Sequence, residues 1–305
     1  MFPSEAPSEA NLKTEISIKH LIVVCCHAIY LGSGSSSTSA KPASNESAAF
    51  VELPSDNEAN WLIEPFQKGE TATYISHIKA GVEALAADEH AILVFSGGAT
   101  KPQLTDKTEG DGYLNVALEQ QLFGSKDPAL SQRMFVDRFA TDSYQNILCS
   151  LIQFPLFVQE LQGHACSLST KESPQAIFPN KLIIVSHEFK RARFLDLHAP
   201  ALQWFGETKF IGINPPFDSV KMAEIEEGDR LRGFGAWKKD IYGVGPALAD
   251  KRLARGWNED LFRARVLAKF SDESLRNRIF HFVALRQRYH GQDLSKSYEE
   301  KLPWS

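Results

Sequence analysis

Short apolar runs alternate along this chain with longer stretches of mixed polarity. The run LIVVCC at 21–26 is continuous and rich in β-branched residues, the pattern of a strand covered on both faces. AILVFS at 91–96 and LIIVS at 182–186 repeat it, and MFVD at 134–137 and KFIGI at 209–213 are weaker versions. Between the runs the period lengthens. Ile75, Ile78, Val82 and Leu85 fall on one stripe of a helix. Val116, Leu118 and Leu122 predict a second, shorter helix. Thr141 or Asp142 can cap a third, which carries Ile147, Leu148 and Leu151 and which Pro155 kinks or ends. A fourth is expected from Phe189, through Ala192, Phe194 and Leu195, stopping before Pro200. Strands alternating with helices predict parallel strands joined by right-handed crossovers. The expected fold class is α/β, a three-layer Rossmann-like parallel sheet with a helical C-terminal extension.

Residues 1–20 read as an N-terminal tail and 21–213 as the α/β domain. A Gly/Ser-rich insert at 32–49 follows the first strand and is expected to be a mobile surface loop. A second long loop is expected at 163–180. From 214 to 305 the chain turns charged and helical, which predicts an extension packed on the same domain.

Composition narrows the function classes. The 305 residues carry 33 Lys+Arg against 38 Asp+Glu, a net charge of −5, which gives no support to a nucleic-acid binder held by phosphate neutralisation. With 43% hydrophobic and 23% charged residues the chain is ordinary globular material. The first residues carry Glu5, Glu9 and Glu15 and do not read as a signal peptide, and no apolar run reaches the ~18 residues of a spanning helix. The four cysteines form no CxxC pair. A reducing, cytoplasmic location without membrane association is the expectation.

Ligands of parallel sheets bind beyond the carboxyl ends of the strands. The residues at those ends are therefore the candidates. His27 follows the first strand. Ser96, Gly97, Gly98 and Thr100 end the second, where consecutive glycines can aim amides at an anion or simply serve a tight turn. Glu109 lies beyond, able to cap a helix or reach a pocket. Asp142, Ser143 and Asn146 share one face of a helix's first turn. His187 follows the fourth strand and is a proton-carrier candidate. Arg191, four residues on, can point the same way and suits a phosphate or carboxylate, whereas Lys190 and Arg193 are expected to face solvent. No GxxxxGK[ST], HExxH, GxSxG or paired CxxC pattern is present, and nothing in the spacing demands a metal.

Taken together, the blocks Ser96-Gly97-Gly98-Ala99-Thr100, Asp142-Ser143-Tyr144-Gln145-Asn146 and Glu188-Phe189-Lys190-Arg191-Ala192-Arg193-Phe194 resemble the YdcF/SanA/ElyC-type domain family, nearest its fungal cytosolic branch. The resemblance covers roughly residues 21–213. It implies a Rossmann-like fold and a small anionic or nucleotide-like ligand, with S-adenosylmethionine one candidate cofactor and no defined reaction. Thr108-Glu109-Gly110 departs from the family's Ser-Glu-Ala helix start, leaving only Glu109 matched, and Asp137 stands where the family has Glu.

Three readings follow. In the first, His187 is a general acid/base oriented by Asp142 or a nearby carboxylate, and the protein hydrolyses or transfers a phosphoester. In the second, the same site binds a metabolite without chemistry. In the third, Trp237, Trp257 and Phe262 of the extension anchor a protein partner.

Overall fold

The computed structural model describes residues 17–32, 53–165, 176–285 and 298–305. In chain order its strands are β1 (His20–Cys25), β2 (Ile29–Tyr30), β3 (Trp61–Leu62), β4 (Ala91–Ser96), β5 (Met134–Asp137), β6 (Lys181–Ser186) and β7 (Glu207–Gly212). Its helices are α1 (Thr71–Ala86), α2 (Glu109–Glu119), α3 (Ser143–Ala165), α4 (Ala199–Ala201), α5 (Ser219–Gly228), α6 (Gly235–Lys239), α7 (Pro246–Ala254), α8 (Glu259–Arg265) and α9 (Glu273–Val283).

Five strands form one sheet in the order β5-β4-β1-β6-β7, every pair parallel. The continuous apolar runs have their cause in this arrangement. Leu21, Val23 and Cys25 of β1 face one core, with α3, while Ile22 and Val24 face the other, with α1 and α2. Both faces are covered, so the layers number three, as the alternation predicts. Gly81 lets α1 settle on the sheet. A Cβ there would land on Val24 Cγ2 and 3.3 Å from Leu93 Cδ1. Gly81→Ala is therefore expected to lower stability by ~1–3 kcal/mol through overpacking, read as a lower urea midpoint at unchanged slope.

The chain moves outward from β1 through β4 to β5, then crosses by α3 to β6 on the other side of β1. The topological switch point lies between β1 and β6, where ligands of such sheets bind. The short antiparallel ribbon β2–β3 joins the flanks of the Ser-rich insert, which itself lies outside the described residues beyond Gly32. Residues 1–16 of the tail also lie outside them, and Ile18 is already buried. Of the second expected loop, 166–175 lie outside; α3 extends as far as Ala165.

Local expectations needed correction in three places. Of the two outcomes expected at Pro155, the ending does not occur, and helix α3 runs on past it to Ala165. Leu118 is exposed, and Leu122 sits at φ 52° in a left-handed turn after α2, so it reaches the core from that turn and not from a helical stripe. The expected helix from Phe189 is instead a 3-10 turn at Glu188–Lys190 followed by a π-type turn at Arg193–His198 and by α4, which contains Pro200. Proline fits there because it stands in the first turn.

The extension shares the core of the sheet's α3 face. Trp237, Leu248, Phe262, Ile279, Phe282 and Trp304 belong to the same buried cluster as Val23 and Ile184. Trp237 and Phe262 are buried in this core, and Trp257 packs partly buried against Phe262. Among the described residues no helix is long and apolar enough to cross a membrane.

Candidate functional site

Strands β1 and β6 run side by side in register, Val24 opposite Val185. The residues just past their ends must then meet. His27 and His187 do so with ring centroids 4.4 Å apart. Helix α1 adds His77, 4.9 Å from His187 and 5.5 Å from His27. Burial lowers the pKa of all three well below the ordinary histidine value, with Lys190 adding to the effect on His27 and His187 and with His187, then Lys190, adding to it on His77. The cluster is therefore neutral. His77 Nε2 lies 2.9 Å from the Ile213 carbonyl, which only accepts, so this nitrogen carries the proton.

His187 is 2% exposed, and neither ring nitrogen has a hydrogen-bond partner. Its ring stacks on Phe189, and Glu70 Oε2 stands 3.5 Å from Nε2. Glu70 precedes α1 and its side chain does not cap it. The Tyr74 hydroxyl donates to the same Oε2 at 2.9 Å and pins the carboxylate beside the imidazole. Glu70 orients His187; Asp142 does not. Asp142 Oδ1 accepts from the Gln145 amide and so caps α3, and Oδ2 accepts from Arg252 Nε. Both its oxygens are engaged, which corrects the catalytic role expected for Asp142.

The cationic side chains also depart from expectation. Arg191 is half-exposed, paired with Glu188 at 2.5 Å and lying over the Phe210 ring, away from the cavity. No helical register links it to His187, because the chain there is a 3-10 turn. That turn and the π-type turn after it bring Lys190 and Arg193 inward. Lys190 Nζ is 3.4 Å from His27 Nδ1. Burial and then the Arg193 charge lower its pKa to about 7, against weaker opposition from Glu70 and Cys25. Arg193 pairs with Asp229 and donates to Ser143 Oγ at 3.4 Å.

These groups line a cavity of about 710 Å³, within the ~300–1,000 Å³ of small-molecule sites. The α/β part supplies His27, Glu70, Glu109, Asp142, Ser143, Asn146, His187, Lys190 and Arg193 to its wall. The extension supplies the rest, with Lys221 and Glu224 from α5, Asp229 and Arg232 from the turn after it, Lys251 and Arg252 from α7, and Arg255. Seven Lys/Arg face five acids in a chain of net charge −5, and two of those acids are already paired with Arg193 and Arg252. A third, Glu109, has its pKa raised by burial. Among the described residues Lys190 and Lys251 have no carboxylate within ion-pair distance. The wall suits an anion.

The glycine block has a different role. Gly97 N–H donates to Asp137 O at 3.0 Å and Gly98 N–H to Ala140 O at 2.7 Å, so neither amide is free for a ligand. A Cβ on Gly97 would lie 2.8 Å from Cys26 Cβ and from Glu109 Cβ, so glycine is required by close packing. Ser96 Oγ donates to Asp137 Oδ2, and Asn146 Nδ2 donates to the Ser96 carbonyl at 2.8 Å. Thr100 Oγ1 donates to Glu109 Oε1. Ser96, Gly97, Gly98 and Thr100 thus hold the site from behind, while Glu109 and Asn146 reach the wall. Cys26 is on the wall too, but burial pushes its thiol up, away from the thiolate form. Among the described residues no group of His, Cys, Asp and Glu is arranged to hold a metal ion.

His77, His198, Lys251, Arg252 and Arg255 were not among the sequence candidates. The only signal for the last three was the KRLAR cluster on the extension, which nothing in the sequence ties to His187.

Comparisons with known proteins leave the reading to this geometry. No family model matches the chain, and no solved structure matches it. The uncharacterized protein YOR238W of Saccharomyces cerevisiae is 24% identical over 286 residues, covering 77% of this chain and 82% of its own.

Proposed function

We propose that the cavity binds a small phosphorylated, nucleotide-like metabolite and hydrolyses or transfers its phosphoester, with His187 as the proton carrier. The observation that carries this reading is His187 itself. It is a neutral imidazole at the switch point, its nitrogens unpartnered, with Glu70 behind it and Lys190 and Arg193 beside the same cavity. We assign the ring proton to Nε2, on the side of Glu70, which leaves Nδ1 as a lone pair able to deprotonate an attacking hydroxyl or water, and the carboxylate 3.5 Å away stabilises the imidazolium that forms. Lys190, near its own midpoint at neutral pH, supplies a proton to the departing oxygen. The lining cations hold the phosphoryl oxygens. The resemblance of the Asp142–Asn146 and Glu188–Phe194 blocks to the YdcF/SanA/ElyC-type family supports this reading, and buried free thiols at Cys25, Cys26 and Cys149 support a cytoplasmic location.

The test is phosphate release from a panel of phosphomonoesters and nucleotides, run beside thermal shift with the same compounds. Stabilisation following RT ln(1 + [L]/Kd) together with turnover supports the reading. Stabilisation without turnover makes the cavity a metabolite-binding module. No response to any phosphorylated compound removes the proposal.

Lys190 also sets a pH dependence. Anion binding needs its ammonium form, and burial has brought that form's midpoint to about 7. That midpoint already includes the lowering by Arg193 and Arg255 and the raising by Glu70 and Cys25. Affinity for a phosphomonoester should therefore fall from about pH 7 to about pH 9, approaching ~10-fold per pH unit, because one proton must be taken up on binding. Calorimetry across that range checks it. Lys190→Arg keeps its charge and should flatten the profile.

A further inference from the structure

The cavity wall holds a second reactive pair, which the acid/base reading leaves unused. Ser143 opens α3, where the positive end of a 23-residue helix meets the cavity. Its Oγ lies 2.8 Å from Nε2 of His198, a residue of the π-type turn that is fully buried behind the wall. Arg193 Nη1, which can only donate, reaches the same Oγ at 3.4 Å. The serine oxygen accepts from a guanidinium, and in the Nδ1–H tautomer that the proposal assigns to His198 the serine's own hydrogen is directed to Nε2. Trp237 stands 4.7 Å from the His198 ring, edge to face, and Phe194 5.4 Å, so the imidazole is walled in and cannot swing away. A hydroxyl facing a cavity, a neutral imidazole within hydrogen-bond reach and a neighbouring cation make an activated nucleophile.

We propose that Ser143 is the nucleophile of this site, with His198 as its base, and that the reaction passes through a phosphoserine at Ser143. This rests on reading the cavity as a phosphoester site. The Oγ–P bond forms as the bond from phosphorus to the leaving oxygen breaks. The serine proton passes to His198 Nε2, and the leaving oxygen takes a proton from Lys190. Water then attacks the phosphoserine, giving its proton to His187, and Oγ departs with the proton held on His198. π-type turns recur at functional sites, and here the turn is what aligns Arg193 and His198 on one serine.

The test uses diisopropyl fluorophosphate on the full chain, followed by intact-mass and peptide analysis. Oγ displaces fluoride, so one diisopropylphosphoryl group should appear on the peptide carrying Ser143. It should be absent in Ser143→Ala and compete with inorganic phosphate. His198→Gln should slow labelling by ~10²-fold or more, with the circular dichroism spectrum unchanged. If that buried variant fails to fold, Ser143→Ala, which removes one oxygen from the wall, still decides the matter. Absence of the adduct, its location elsewhere, or its persistence in Ser143→Ala overturns the proposal. The two readings fail separately. Labelled Ser143 with no ester turned over removes the phosphoester function and keeps the nucleophile. Ester turnover that survives Ser143→Ala keeps the function and removes the nucleophile.

Discussion

Replacing His187 by glutamine should lower kcat on an accepted phosphoester by ~10²–10⁴-fold, the usual worth of a positioned acid/base group, while KM moves little. KM should hold because the substrate's charge is met by Lys190, Arg193 and the α7 cations, none of which depends on the imidazole. The fold should hold as well. Glutamine fills most of the ring's volume, and the His187 nitrogens make no hydrogen bond that its loss would break. Glu70→Gln should give a smaller loss, since it removes the negative charge 3.5 Å from Nε2 that stabilises the imidazolium formed when His187 takes a proton. Steady-state kinetics with a thermal melt on each variant measures both. Undiminished kcat in the glutamine variant would remove His187 from the chemistry.

The largest stability effect is expected at Asp142. Its side chain and that of Arg252 are 13% and 11% exposed, so the pair is shielded from water. Removing the carboxylate leaves a buried guanidinium with the Gly243 carbonyl and the faces of Tyr144 and Trp237 but no counter-charge, and one of its nitrogens already lacks a hydrogen-bond partner. Asp142→Ala should therefore cost ~3–5 kcal/mol. About 1 kcal/mol of additional loss should come from the α3 cap, because the Gln145 amide loses its acceptor. Asp142→Asn keeps the cap and should recover that smaller part. Arg252→Met should rescue most of the loss, since the uncompensated charge goes with it. Urea titrations of the two single variants and the double variant measure the coupling. A loss of activity in Asp142→Ala without a loss of stability would return Asp142 to the catalytic group.

Much of the frame was readable because a parallel sheet buries both faces. Such strands must be apolar at every position, and LIVVCC, AILVFS and LIIVS announce themselves for that reason. His27 and His187 were readable as strand-end residues, and adjacency of β1 and β6 did the rest. Arg191 is misplaced by the α-helical spacing expected after β6. A 3-10 turn and then a π-type turn change the angle per residue, so that Lys190 and Arg193 face inward and Arg191 outward. Asp142 was misread because its partner, Arg252, is 110 positions away. The glycine pair leaves an anion nest open in sequence, yet its amides are spent on the carbonyls of Asp137, at the end of β5, and Ala140 just beyond, a choice made by strand packing.

The order of apolar runs by itself determined the α/β class and which residues end each strand, because burial on two faces leaves a mark at every position of a strand. Only the tertiary structure decided which charges meet. It set Glu70 against His187, His198 against Ser143, and the α7 cations over the cavity, since side chains far apart in sequence come together only when the extension packs its aromatic face on the sheet's α3 side.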